Sequence, residues 1–288
     1  MSDEARGVAL TVAGVGSAQF GAGYAVTLFD ELGPAGAAFI RLVLSAIVLA
    51  VIWRPRVRGR PRADLAVAAT FGAALGFMNL AIYSAMDRIP LGIAVTIEFA
   101  GPLAVAVIGS RRPLDLLWVA LAAVGIVLLI DPSGTSSLDT LGVVYALAAA
   151  ALWAAYIVLS ARTGRLFPGG SGLAIAMVVG AVVVAPFGIA QGGSALLEPE
   201  LLAAGAAVAL ASSVIPYSLD LEALRLLPAR VFGVLMSLEP AVAALAGLVV
   251  LSQALALREW LAIALVVAAS AGATLSAAPR SARAASTP

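Results

Sequence analysis

Ten times along this chain, a stretch of roughly 16 to 23 residues runs almost free of charge. That length, coiled as a helix, crosses about 30 Å of hydrocarbon. The stretches are 8–28, 35–53, 64–86, 91–110, 115–130, 139–160, 171–190, 201–221, 230–251 and 258–277. Short connections carrying Gly, Pro or Asp separate them, as at Gly33-Pro34, Asp131-Pro132 and Pro168-Gly169-Gly170. Such connections cannot hold a soluble domain. In lipid, a segment of this length must bond its own backbone groups, which leaves only the helix. The expected fold is therefore an all-α membrane protein of ten transmembrane helices. With 62% apolar and 11% charged side chains, a chain of 288 residues has too little interior to hide its apolar groups from water.

Arginine supplies all 17 basic residues, and its distribution predicts orientation. With the N-terminus inside, cytoplasmic segments hold Arg6, Arg54, Arg56, Arg58, Arg60, Arg62, Arg111, Arg112, Arg162, Arg165, Arg225, Arg230, Arg280 and Arg283. The opposite side holds only Arg88 and Arg258, alongside acids such as Asp30, Glu31, Asp131, Asp139, Glu198 and Glu200. Both termini are expected in the cytoplasm. The Arg54–Arg62 run is read as a topology determinant rather than a nucleic-acid or lipid patch. The N-terminal segment carries Asp3 and Glu4 instead of a basic lead, so the first apolar stretch is expected to be a retained span.

The second half repeats the first. Pro90 to Pro102 (PLGIAVTIEFAGP) and Pro228 to Pro240 (PARVFGVLMSLEP) each cover twelve positions, and Ala85 and Ala223 precede them at the same offset. Each interval holds an acid near its closing proline, Glu98 and Glu239. Five spans per half is an odd number, so the copies must lie in the membrane with opposite orientation, an arrangement common in secondary transporters. The expected units are 8–130 and 139–277, followed by a cytoplasmic tail at 278–288.

Three ionisable residues fall well inside spans: Arg41, Glu98 and Glu239. Each costs a few kcal/mol at mid-membrane, so each should face the bundle interior or water and have a partner. Arg41 lies about 9 Å and Glu98 about 12 Å from the outer ends of their helices at 1.5 Å rise per residue. Asn79 and Gln19 fall at similar depth, which predicts one polar layer. Arg41 suits a carboxylate, and Glu98 an ammonium group or a proton. The plain alternative is an Arg41–Glu98 ion pair that fixes packing, with Gln19 and Asn79 as interhelical glue. Pro102 frees the carbonyl of Glu98 and Pro240 that of Met236, which predicts kinks beside both acids. Tyr217 aligns with Asn79, and the second half lacks a counterpart of Arg41. Asp220 and Glu222 read as solvated helix-end charges, and Trp53, Trp118, Trp153 and Trp260 as interface anchors.

Cysteine and histidine are absent. That removes disulfides, Cys/His metal sites and Ser-His or Cys-His catalytic pairs, so neither a cofactor nor a metal is expected. An intramembrane protease lacks its His ligands or a GxGD motif, and a channel lacks a filter-like polar loop. A transporter is the reading left, not an enzyme.

The segments MNLAIYSAMDRIPLGIAVTIEFAGPLAVAVIGSRRPLD (78–115) and IPYSLDLEALRLLPARVFGVLMSLEPAVAALAGLVVL (215–251) resemble the drug/metabolite transporter superfamily in its two-repeat EamA form. More narrowly, they resemble the bacterial inner-membrane threonine/homoserine exporters. The resemblance implies proton-driven, alternating-access export of small neutral amino acids from a cavity between the repeats. An exporter of another metabolite or of a drug-like amphiphile is the alternative. Arg41, Glu98 and Glu239 match the charged positions of the family, and SQALALRE (252–259) lacks a GE pair common there. The expected partners are a small-molecule substrate, protons and the lipid bilayer, with a homodimer left open and nucleic acid excluded.

Overall fold

A computed structural model describes residues 2–108, 113–130 and 138–276. Arg111, Arg112, Asp131 and the tail with Arg280 and Arg283 lie outside the described residues, as does the side chain of Arg230. The regular elements among the described residues are all helices, with no strand among them. Helix α1 (Asp3–Val26) starts where the Ser2 hydroxyl accepts from the Ala5 N–H, with Asp3 and Glu4 in the positive first turn. The chain then reverses repeatedly through α2 (Phe29–Trp53), α3 (Arg62–Met86), α4 (Leu91–Glu98), α5 (Ala100–Ile108) and α6 (Pro113–Ile130). It continues with α7 (Thr140–Leu166), α8 (Ser171–Gly192), α9 (Pro199–Ala209), α10 (Ile215–Leu226), α11 (Ala229–Met236), α12 (Glu239–Leu251) and α13 (Leu257–Ser276).

Among the described residues, seven segments are long and apolar enough to cross a membrane: Phe29–Trp53, Arg62–Met86, Thr140–Leu166, Ser171–Leu197, Pro199–Leu226, Val231–Leu251 and Leu257–Leu275. Two shorter apolar helices accompany them, Leu91–Val105 and Leu116–Leu129. The outward surface carries bare aliphatics such as Val182 and Val249, both about two-thirds exposed. That is a face for lipid rather than water. The protein is a multi-pass membrane protein.

Helix breaks follow from proline and glycine. Gly33 (φ 66°, ψ 164°) kinks α2 ahead of Pro34, where a side chain would be strained. The break frees the Ala35 N–H, which donates to Gln191 Oε1 at 2.7 Å. The expected Gly33-Pro34 connection is thus a kink within one helix. Pro102 and Pro240 likewise interrupt their ladders, and α4 yields to α5 at Phe99 as α11 yields to α12 at Ser237 and Leu238. A π-helical turn, Leu210–Val214, joins α9 to α10. Pro216 offers no N–H to the carbonyl four residues back, that of Ser212.

Packing runs α2 on α8, α3 on α7 and α8, α1 on α10 and α12, α4 on α12 and α7, and α6 on α13. Small residues allow the backbones to close in: a Cβ at Gly72 would sit 2.5 Å from the Ala176 carbonyl, and one at Gly76 2.8 Å from that of Gly180. At Gly101 a Cβ would collide with the Ala150 carbonyl oxygen. Gly101→Ala is therefore expected to force α5 off α7 and cost about 1–3 kcal/mol of stability, read as a lowered melting temperature in detergent.

The two bundle ends are tied differently. At one, Arg60 donates to the Leu166 carbonyl at 3.0 Å and stacks on Phe167. At the other, Leu91 N–H donates to Gln253 Oε1 at 2.9 Å, and Asp139 accepts from Gly142 N–H while pairing with Arg88 at 3.2 Å. The Gly142 N–H holds the exposed Asp139 carboxyl below its ordinary range, and the Arg88 guanidinium adds to that. A depressed pKa means this carboxyl stabilises the fold above its unfolded value and ceases to do so as pH falls through the lowered one.

Two of the expected interface anchors have inward roles. Trp153 sits near the middle of α7 and meets Phe99, at the α4–α5 break, edge to face at 5.3 Å. Trp118 packs over Gly272 of α13. A sequence window marks how far a tryptophan lies along a helix, not which way it points.

Candidate functional site

Helix α2 carries Arg41 to the middle of the bundle, where it does not pair with Glu98. No ion pair joins the two within 4 Å, unlike Arg88–Asp139 and Arg225–Glu222 elsewhere among the described residues. Instead Arg41 Nε donates to Ser213 Oγ at 3.1 Å, Nη1 to Tyr83 Oη at 3.1 Å, and Nη2 to the Ser212 carbonyl at 2.9 Å. The Tyr83 ring also lies under the guanidinium, 5.5 Å from its carbon. The acceptor on Ser212 is the carbonyl left free by Pro216 at the π-helical turn. A guanidinium has five N–H groups, so two remain available to a ligand.

Glu98, the last residue of α4, and Glu239, the first of α12, are 7% and 8% exposed. Neither makes a hydrogen bond or ion pair among the described residues. The unpartnered side-chain atoms sealed from solvent are Ser45 Oγ, Thr163 Oγ1 and Asp220 Oδ1. Neither glutamate is among them, so what little of each stays accessible includes its carboxyl. Both acids flank the matching helix breaks, one just before and one just after. They lie close enough to each other to interact electrostatically, and Glu98 is within reach of the Arg41 charge.

Tyr217 joins this group: it and Tyr156 of α7 lie within electrostatic reach of each other and of Asp220 and Glu239. The other expected members stand apart. Asn79 is buried but turns its amide to its own helix, donating to the Leu75 carbonyl at 2.8 Å, so it is not glue between helices. Gln19 is buried on α1 with no hydrogen-bonding partner among the described residues. Pro240 is buried and Pro102 half-buried beside the breaks they cause.

Several residues of the group escaped the sequence reading: Tyr83, Tyr156, Ser212, Ser213 and Asp220. Glu222 is a surface charge paired with Arg225 at 3.1 Å, as expected. Asp220 is not; one of its oxygens is sealed without a partner. The available signal was that a tyrosine or serine pair inside an aliphatic span needs a hydrogen-bonding partner.

The EamA-like transporter family model matches residues 140–275. The threonine/homoserine exporter RhtA of Salmonella typhimurium is 41% identical over 264 residues, covering 90% of this chain and 88% of its own length. Its Escherichia coli K12 namesake is 40% identical over 273 residues, covering 93% and 91%. A solved crystal structure matches with a TM-score of 0.62 at 20% identity, covering 96% of this chain and 98% of that one. It speaks for the fold alone.

Proposed function

Because this chain belongs to the EamA-like transporter family, we propose that it exports small neutral amino acids of the threonine or homoserine kind across the inner membrane, by proton antiport and alternating access. Arg41 takes the substrate carboxylate on its two unused N–H groups. Glu98 takes the amine or a proton, and Glu239 serves coupling or gating. Tyr217 lines the substrate space, and Pro102 and Pro240 keep the two helices broken beside the acids. The observation that carries this reading is a pair of buried, unpartnered glutamates, one of them, Glu98, within reach of a partly satisfied arginine. Hydrocarbon penalises such charges unless a ligand or proton relieves them.

The proposed framework is ten passes in two inverted repeats, 8–130 and 139–277, with both termini in the cytoplasm. The packing supports it, because exchanging the halves maps several of the main contacts onto one another. The α1–α10 contact corresponds to α7–α3, α1–α11 to α7–α4, α1–α12 to α7–α5, and the pairs α2–α8 and α6–α13 to themselves. Alternating access would then rock one repeat against the other.

Counterflow of labelled amino acids into proteoliposomes tests the substrate. Threonine and homoserine are expected to exchange, while lysine and glutamate are rejected, since a second charge would lie unpaired in the site. Exchange of drug-like amphiphiles with no amino-acid exchange would overturn the proposal.

A further inference from the structure

Asp220 is the acid that the proposed cycle leaves unused. It lies on α10, six residues before the helix ends at Leu226, or about 9 Å along the axis. Its Oδ1 is sealed from solvent with no hydrogen-bond partner. From helix α1, Gly14 packs beside it, and a Cβ there would sit 3.0 Å from that oxygen. The titratable groups that face it are Tyr156 from α7, Tyr217 from its own helix and Glu239 from α12. Glu222 and Arg225, also on α10, satisfy each other at the surface.

Glu98, Glu239, Tyr217, Tyr156 and Asp220 are therefore a set of proton-bearing groups, each within electrostatic reach of another. Asp220 is the member nearest the end where α10 stops, and Glu98 and Glu239 are buried acids with no partner among the described residues. An acid held only for packing would find a donor. An acid that must exchange protons cannot be locked to one. We propose that Asp220 passes the transported proton between Glu239 and the cytoplasmic end of the bundle, a step that rests on the proton-coupled reading above. The Glu239 carboxylic acid gives its proton to the Asp220 carboxylate, directly or by way of the tyrosine hydroxyls, each of which takes one proton and passes one on. Glu239 is left as the anion, and Asp220 as the neutral acid that releases the proton to water.

The test is uptake of labelled threonine by everted membrane vesicles with an acid interior, beside threonine exchange at equal pH. Asp220→Asn is expected to lower gradient-driven uptake at least about ten-fold while exchange persists. Asp220→Glu should restore the drive with a displaced pH profile, and Glu222→Gln should behave as the parent. Full drive and a parental pH profile in Asp220→Asn would overturn the proposal. So would loss of both drive and exchange in the Asn and Glu variants alike, which would make Asp220 a packing residue. A parent chain that exchanges threonine but ignores the pH gradient would instead bring down the coupling reading, and this step with it.

Discussion

Glu98→Gln abolishes gradient-driven export while leaving the protein inserted and folded: that is the result expected of the largest single effect in this chain. Glutamine keeps the shape of the side chain, so the tight packing around the end of α4 survives. What disappears is the ability to hold a charge or a proton. Since Glu98 bonds to no other described residue, removing its charge orphans nothing inside the bundle. A charge-assisted hydrogen bond to a substrate ammonium is worth roughly 1.5–3 kcal/mol, so threonine affinity should drop about 10- to 100-fold. Export driven by the pH gradient should fall further, to background, because a glutamine cannot exchange the proton. The measurement is threonine uptake by everted vesicles, beside protein abundance and melting in detergent. Export at the parental rate would remove Glu98 from the mechanism.

Arg41→Lys should be nearly as severe, for a different reason. The guanidinium joins three partners at once, Ser213 Oγ, Tyr83 Oη and the Ser212 carbonyl, and it rests on the Tyr83 ring. An ammonium is a point charge without that fork. At least one partner loses its donor, and each buried polar group left unsatisfied costs about 1–3 kcal/mol. The melting temperature should fall by several degrees. The two N–H groups proposed for a carboxylate vanish as well, so affinity per folded molecule should fall at least about ten-fold. A purely structural arginine would show the first loss without the second. Melting curves and threonine exchange, normalised to folded protein, separate the two.

These variants also mark how far the sequence was legible. That Arg41, Glu98 and Glu239 face the interior followed from the cost of a charge in hydrocarbon, and the structure keeps both glutamates buried. Breaks beside Pro102 and Pro240 followed from the missing N–H, and both helices break there. The partners were not legible. Arg41 was set against Glu98 by depth, yet it reaches across to a π-helical turn in the second half. Asn79 stood at the right depth and faces its own helix. Asp220 was near enough to a helix end to pass for a solvated charge, and one of its oxygens is sealed.

The amino-acid order alone determined that this chain lives in a membrane and which charges cannot face lipid. Those are properties of single segments, decided by length, apolar content and the local penalty on a polar group. Only the tertiary structure decided which groups meet. Helix rotation and the seating of each break are set by distant contacts, such as Gly72 against the Ala176 carbonyl and Gly101 against that of Ala150. No window along the chain contains them.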